Sequence, residues 1–97
     1  MTVGPQDADY DAVVGYSHIS IASMSETFDH VDWYVHGTLI ATDLPDSSSD
    51  TQSEFDFTYE GYGGTADAVK FVKARAYYLD GSYDEVGYEL TVWSQPV

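Results

Sequence analysis

The sequence predicts an all-β domain, a two-sheet antiparallel sandwich of about seven short strands. Three observations lead there. Apolar residues recur with a period of two along most of the chain, and clusters of Gly, Asp, Ser and Pro separate the alternating runs. No run carries apolar residues at the 3.6-residue spacing of a helix.

The opening MTVGPQDAD is rich in Gly, Pro and Asp and is expected to form a flexible arm over residues 1–9, ahead of one domain over 10–97. Ala12, Val13 and Val14 then read as an edge strand, with Gly15 bending the chain. In SHISIA the alternation sets Ile19 and Ile21 on one face and His18 and Ser20 on the other, and the isoleucines are expected to point inward. HVDWYV is the clearest strand: Val31, Trp33 and Val35 alternate against His30, Asp32 and Tyr34. His36-Gly37 suits a tight hairpin turn, because glycine readily takes positive φ, and TLIAT returns as the partner strand.

DLPDSSSDTQS combines proline with three aspartates and reads as an exposed loop of about ten residues. Beyond it Phe55, Phe57 and Tyr59 share an inward face, and the three glycines of EGYGGTAD make the next turn. VKARAYY sets Val72, Ala74, Ala76 and Tyr78 against Lys73, Arg75 and Tyr77. LDGSYDE is a hairpin, and GYELTVW closes the chain with Tyr88, Leu90 and Val92 facing in. The resulting core is Ile19, Ile21, Val31, Trp33, Val35, Phe55, Phe57, Val72, Ala74, Ala76, Leu90 and Val92, with Trp33 at its centre.

Composition limits what such a domain does. The chain has 97 residues and no cysteine, so apolar packing and sheet hydrogen bonds carry its stability without disulfides or thiolate metal sites. Seventeen acids against three cations give a formal charge of -14, which repels phosphate backbones and anionic headgroups; neither nucleic acid nor membrane is expected as a partner. At about 1 M salt the Debye length falls to about 3 Å and such self-repulsion is muted. The excess of aspartate, the scarcity of lysine and the many serines and threonines resemble proteins of halophilic archaea and their viruses. The first eleven residues show neither a charged n-region nor an apolar h-region, so export by a secretory signal is not expected.

Trp33 within VDWYVHGTLIAT, the phenylalanine strand, and the terminal ARAYYLDGSYDEVGYELTV together resemble an immunoglobulin-like domain of the PKD or CARDB kind over residues 10–94. The resemblance implies a tryptophan on the third strand and a terminal hairpin over 72–93. The inter-sheet disulfide of antibody domains is absent.

Chemical motifs are few. His30 and His36 lie six residues apart on one strand, about 20 Å, too far to ligate one metal together. The aspartates of DADYD and DGSYDE lack the offsets of an EF-hand loop and suit turn chemistry. No G-x-S-x-G, H-E-x-x-H, phosphate-cradling loop or cysteine nucleophile is present, so neither catalysis nor a cofactor is expected. The interface candidates are Tyr34, Lys73, Arg75, Tyr77 and Trp93, an aromatic and cationic group on the outer face of one sheet, with Asp32 and Glu89 as the expected ion-pair partners. These readings converge on a structural subunit of a virion surface, docked on capsid or tail proteins or on sister copies. An extracellular adhesin or carbohydrate-binding module, stacking Tyr62 and Tyr83 on sugars, is the alternative.

Overall fold

The computed structural model describes residues 1–59 and 67–94, without the side chains of Asp67 and Ala68. The glycine-rich turn EGYGGTAD, with Tyr62, therefore lies largely outside the described residues. Eight strands follow in order: β1 Thr2–Pro5, β2 Asp11–Val13, β3 Ser17–Ser23, β4 Phe28–Val35, β5 Thr38–Asp43, β6 Gln52–Thr58, β7 Asp67–Tyr78 and β8 Tyr83–Trp93. They form a three-stranded sheet, β1-β3-β6, and a five-stranded sheet, β2-β8-β7-β4-β5. The chain is an immunoglobulin-like β-sandwich.

Local chemistry sets the two hairpins. His36 and Gly37 adopt φ of 53° and 86°, the mirror-image turn whose twist matches two antiparallel strands, and Val35 faces Thr38 across it. Asp80 Oδ1 accepts a hydrogen bond from the Ser82 backbone N–H at 2.9 Å and Gly81 takes φ 88°, closing the turn between β7 and β8. These two long strands then pair from Tyr77 with Tyr83 to Asp67 with Trp93. Their length sets the long axis of a body measuring 45 × 23 × 17 Å.

One pairing departs from the antiparallel expectation: β2 runs parallel to β8, with Ala12 opposite Val92. The chain crosses from one sheet to the other between β1 and β2, and it enters the second sheet in the direction of β8. Thr2–Pro5, expected as an arm, is instead an edge strand antiparallel to β3, with Val3 opposite Ala22. Backbone pairing with β3 orders a segment whose composition alone carries little strand signal.

Between the sheets lie Val31, Trp33, Val35, Phe55, Val72, Ala74, Ala76, Leu90 and Val92, all buried, with Ala12, Ala22, Met24, Phe28, Tyr59, Tyr78 and Tyr88. Phe57 is half-buried against this core. Ile19 and Ile21 stand on the face opposite to the one expected. In β3 it is His18, Ser20 and Ala22 that point inward, while the isoleucines are half-buried on the outer side. The cause is volume. Ser20 lies opposite Phe55 and His18 opposite Phe57, so the large rings of β6 fill the space that β3 leaves by presenting small or polar residues. The outward isoleucines sit among β1 and β6, with Ile21 next to Glu54 and Ile19 next to Asp56.

Trp33 is fully enclosed and stacks on Phe55 at 5.1 Å between centroids. Its indole N–H donates to Ser53 Oγ at 2.9 Å, and the Ser53 hydroxyl donates to Asp43 Oδ2 at 2.6 Å. This relay satisfies the polar edge of the largest core residue and ties the facing sheets together. A second cross-sheet bond joins the buried Ser20 and Tyr88 hydroxyls.

Candidate functional site

The outer face of the five-stranded sheet gathers groups unlike the rest of the surface. Residues of β4, β7 and β8 whose neighbours point into the core must point outward here, which places His30, Asp32 and Tyr34 beside Lys73, Arg75 and Tyr77, and these beside Tyr83 and Glu85. Three rows cross the sheet. Tyr34 lies opposite Lys73; Asp32 lies opposite Arg75, which lies opposite Glu85; and His30 lies opposite Tyr77, which lies opposite Tyr83.

The rings and charges interlock. Lys73 Nζ stands 4.6 Å from the Tyr34 ring centroid, and the Arg75 guanidinium stands 5.1 Å from that of Tyr83. Arg75 also donates to the Tyr77 hydroxyl at 3.3 Å. Tyr77 in turn stacks on His30 at 4.4 Å, and His30 Nδ1 lies 2.7 Å from Asp29 Oδ2.

Glu85 is the charge that organises the group. Lys73 pairs with Glu85 Oε1, and Arg75 Nη2 donates to Oε2 at 3.1 Å. Hydrogen bonds from Lys73, then from Arg75, hold the Glu85 carboxyl below its ordinary pKa, while the Tyr77 and Glu85 hydrogen bonds raise that of Arg75. The expected partners Asp32 and Glu89 are not the ones used. Glu89 lies opposite Phe71, one row beyond Lys73, and Asp32 accepts from Thr42 Oγ1 at 2.7 Å. The hairpin register centred on Asp80 brings Glu85 to Arg75, and Lys73 reaches it on the diagonal past Gly87.

Of the interface candidates, Tyr34, Lys73, Arg75 and Tyr77 form one contiguous cluster. Trp93 does not join it. It lies six residues along β8 from Gly87, about 20 Å away, and its indole N–H donates to Asp11 Oδ1 at 2.7 Å. The sequence reading missed His30 and Glu85 as members and did not bring Tyr83 into the group. Counting outward from the Asp80 turn would have found two of them, because that count alone sets Tyr83 against Tyr77 and Glu85 against Arg75.

Elsewhere the carboxylates serve backbone turns. Asp7 accepts from the Asp9 N–H and Asp9 from the Asp11 N–H, each at 3.1 Å. Asp50 accepts from the Asp46 and Gln52 N–H groups, which lower its pKa. Among the described residues, no group of three or more His, Asp or Glu side chains converges to hold a metal ion.

No family model and no curated protein matches this chain. Among solved structures, the fibronectin(III)-like modules of Clostridium thermocellum CbhA are similar, with a TM-score of 0.57 over 97% of each chain and 14% sequence identity. At that identity the likeness establishes the fold alone, an immunoglobulin-like β-sandwich.

Proposed function

We propose that this chain is a non-enzymatic structural subunit that docks onto other proteins of an assembly through the outer face of its five-stranded sheet, in concentrated salt. The surface of a virion infecting a halophilic archaeon is the setting that fits. The observation that carries this reading is the concentration of cationic and aromatic groups at Tyr34, Lys73, Arg75, Tyr77 and Tyr83, the first four half-buried and Tyr83 exposed, on a body of net charge -14. Arginine and tyrosine are the residue types that interfaces favour, and with Glu85 pairing both Lys73 and Arg75 the face is close to neutral on an otherwise anionic body, which spares it the repulsion the rest of the surface exerts on acidic partners. Salt-tolerant docking suits this patch because its ring contacts survive screening where bare ion pairs weaken.

A second reading follows from the fold neighbour, which is a module. The chain would then be one domain of an extracellular surface protein, with Tyr83 as a platform for a sugar ring; it is 57% exposed at the base of the β7–β8 turn. Co-sedimentation with purified particles at about 2 M salt, where screening is nearly complete, supports the virion reading. Glycan-array binding by the isolated chain, with no co-sedimentation, replaces it with the second.

A further inference from the structure

The first two strands and the last run the same way through the body. β1 is antiparallel to β3, with Thr2 opposite Ser23 and Pro5 opposite Ser20. Residues 24–27 join Ser23 to Phe28, which lies opposite Tyr78 beside the β7–β8 turn, so β1 starts toward the turn end of the molecule. β2 heads away from that end alongside β8 and parallel to it, with Asp11 opposite Thr91 and Val13 opposite Trp93. Trp93 closes β8 at the far end, opposite Asp67. The start of β1 and the finish of β8 therefore point toward opposite ends of the 45 Å long axis.

Parallel pairing decides what tension between those ends does. Drawing β2 back and β8 forward slides one strand along the other and strains all the bonds between them together, whereas peeling a strand away breaks its bonds in turn. The pair is fastened beyond its short ladder. The Thr91 N–H donates to the Tyr10 carbonyl at 3.0 Å and the Val14 N–H to the Trp93 carbonyl at 2.9 Å. The Trp93 indole N–H reaches back to Asp11 Oδ1 at 2.7 Å, a diagonal that the same sliding stretches. Ala12, opposite Val92, is buried in the core and resists slippage by its packing. In the other sheet the Gln6 N–H donates to the Ile19 carbonyl at 2.9 Å and extends the β1–β3 ladder, which tension loads in the same sense.

We infer that β1 and β2 form a tension clamp, by which this domain withstands force applied between its two ends. The crossing of the chain from one sheet to the other sets the two pairings one behind the other, so that β1 slips from β3 while β2 stays locked to β8. Resistance of this kind is a matter of unfolding rate rather than of equilibrium stability. The clamp serves a domain tethered at both ends, and it holds whichever partner the outer face meets.

The test is single-molecule force clamping of the whole chain at one constant force in two geometries. In the first, handles on the two ends of the chain load β1 and β2 in shear. In the second, the N-terminal handle is moved to a single cysteine at Tyr16→Cys, an exposed position in the turn after β2 of a chain with no cysteine of its own, so that β8 is peeled from Trp93 inward. The first geometry is expected to survive at least about tenfold longer, because several bonds, each contributing a factor of about two to ten, must give way together. Asp11→Ala removes the diagonal bond and should shorten the end-to-end lifetime about two- to tenfold, with Trp93→Phe taking its place if that variant folds poorly. Thr42→Val removes a bond of the same 2.7 Å length between β5 and β4, off the load path, and should leave the lifetime unchanged. Thermal melts establish that each variant is folded. Equal lifetimes in the two geometries overturn the inference, as does a lifetime for the diagonal-bond variant no shorter than that of Thr42→Val.

Discussion

Replacing Ser53 with alanine removes one oxygen that serves two partners. In the native chain Ser53 Oγ accepts from the Trp33 indole N–H at 2.9 Å and donates to Asp43 Oδ2 at 2.6 Å, and both Trp33 and Ser53 are 0% exposed. A buried donor left without an acceptor costs about 1–3 kcal/mol, so the stranded indole alone accounts for most of the loss. Asp43 is half-buried and regains water, so its lost bond adds about 0.5–1 kcal/mol. The alanine methyl fits the space, and no large cavity offsets or enlarges the sum. The expected destabilisation is about 2–3 kcal/mol, or a fall in melting temperature of roughly 10–20 °C for a domain of this size. Urea titration followed by circular dichroism measures it. Trp33→Phe provides the control, because it keeps an aromatic ring against Phe55 and lacks the N–H. In that background Ser53→Ala should cost about 1–2 kcal/mol less. A loss below about 0.5 kcal/mol, or strictly additive effects in the double-mutant cycle, refutes the relay.

Gly87→Ala would bring its new methyl carbon to 2.5 Å from the Phe71 ring and 2.8 Å from the Val72 carbonyl oxygen. Because that oxygen is backbone and held in the β7–β8 ladder, a loss of about 1–3 kcal/mol is expected in thermal melts, and an unchanged melt would contradict the packing. Glu85→Gln should cost about 1 kcal/mol near neutral pH in dilute buffer and little in concentrated salt. Since the folded carboxyl is depressed below its ordinary 4.5, the wild-type advantage is present above that value and disappears as pH falls through the folded pKa, which stability measured against pH reads directly. Burial, then the hydrogen bond donated to Asp84, raises the Tyr78 phenol to about 12 from an ordinary 10.0. Its contribution to stability is thus complete below pH 10 and lost as the pH climbs toward 12; a late tyrosinate absorbance step, missing in Tyr78→Phe, is the expected signature.

The hairpins were the most legible part of the fold, because their information is local. His36-Gly37 and Asp80-Gly81 each announce a turn that only certain residues make, and the strands on either side inherit their pairing from it. The orientation of β3 was not legible. Alternation separates two faces but does not say which one is inside, and SHISIA offers isoleucines on one side and a small-polar series on the other. The choice falls to the non-local Phe55 and Phe57, which lie opposite Ser20 and His18 and fill the space between the sheets. β1 was hidden for a related reason: its order comes from β3 across a long separation and not from its own residues.

The outer-face cluster was half legible. Parity alone placed Tyr34, Lys73, Arg75 and Tyr77 together, but parity carries no information about distance along a strand. Trp93 was grouped with residues it shares a face with and does not reach. Glu85 was displaced from consideration by Glu89 because the register had not been counted from the turn.

Charge reversal of the outer face is the most direct test of docking. Lys73→Glu combined with Arg75→Glu is compared with Glu54→Lys combined with Asp56→Lys on the opposite sheet, each measured by co-sedimentation with purified particles at about 2 M salt. Docking through the five-stranded sheet predicts that the first variant is lost from the pellet while still folded, and that the second sediments like the wild type. Undiminished sedimentation of the first, or loss of the second alone, contradicts it.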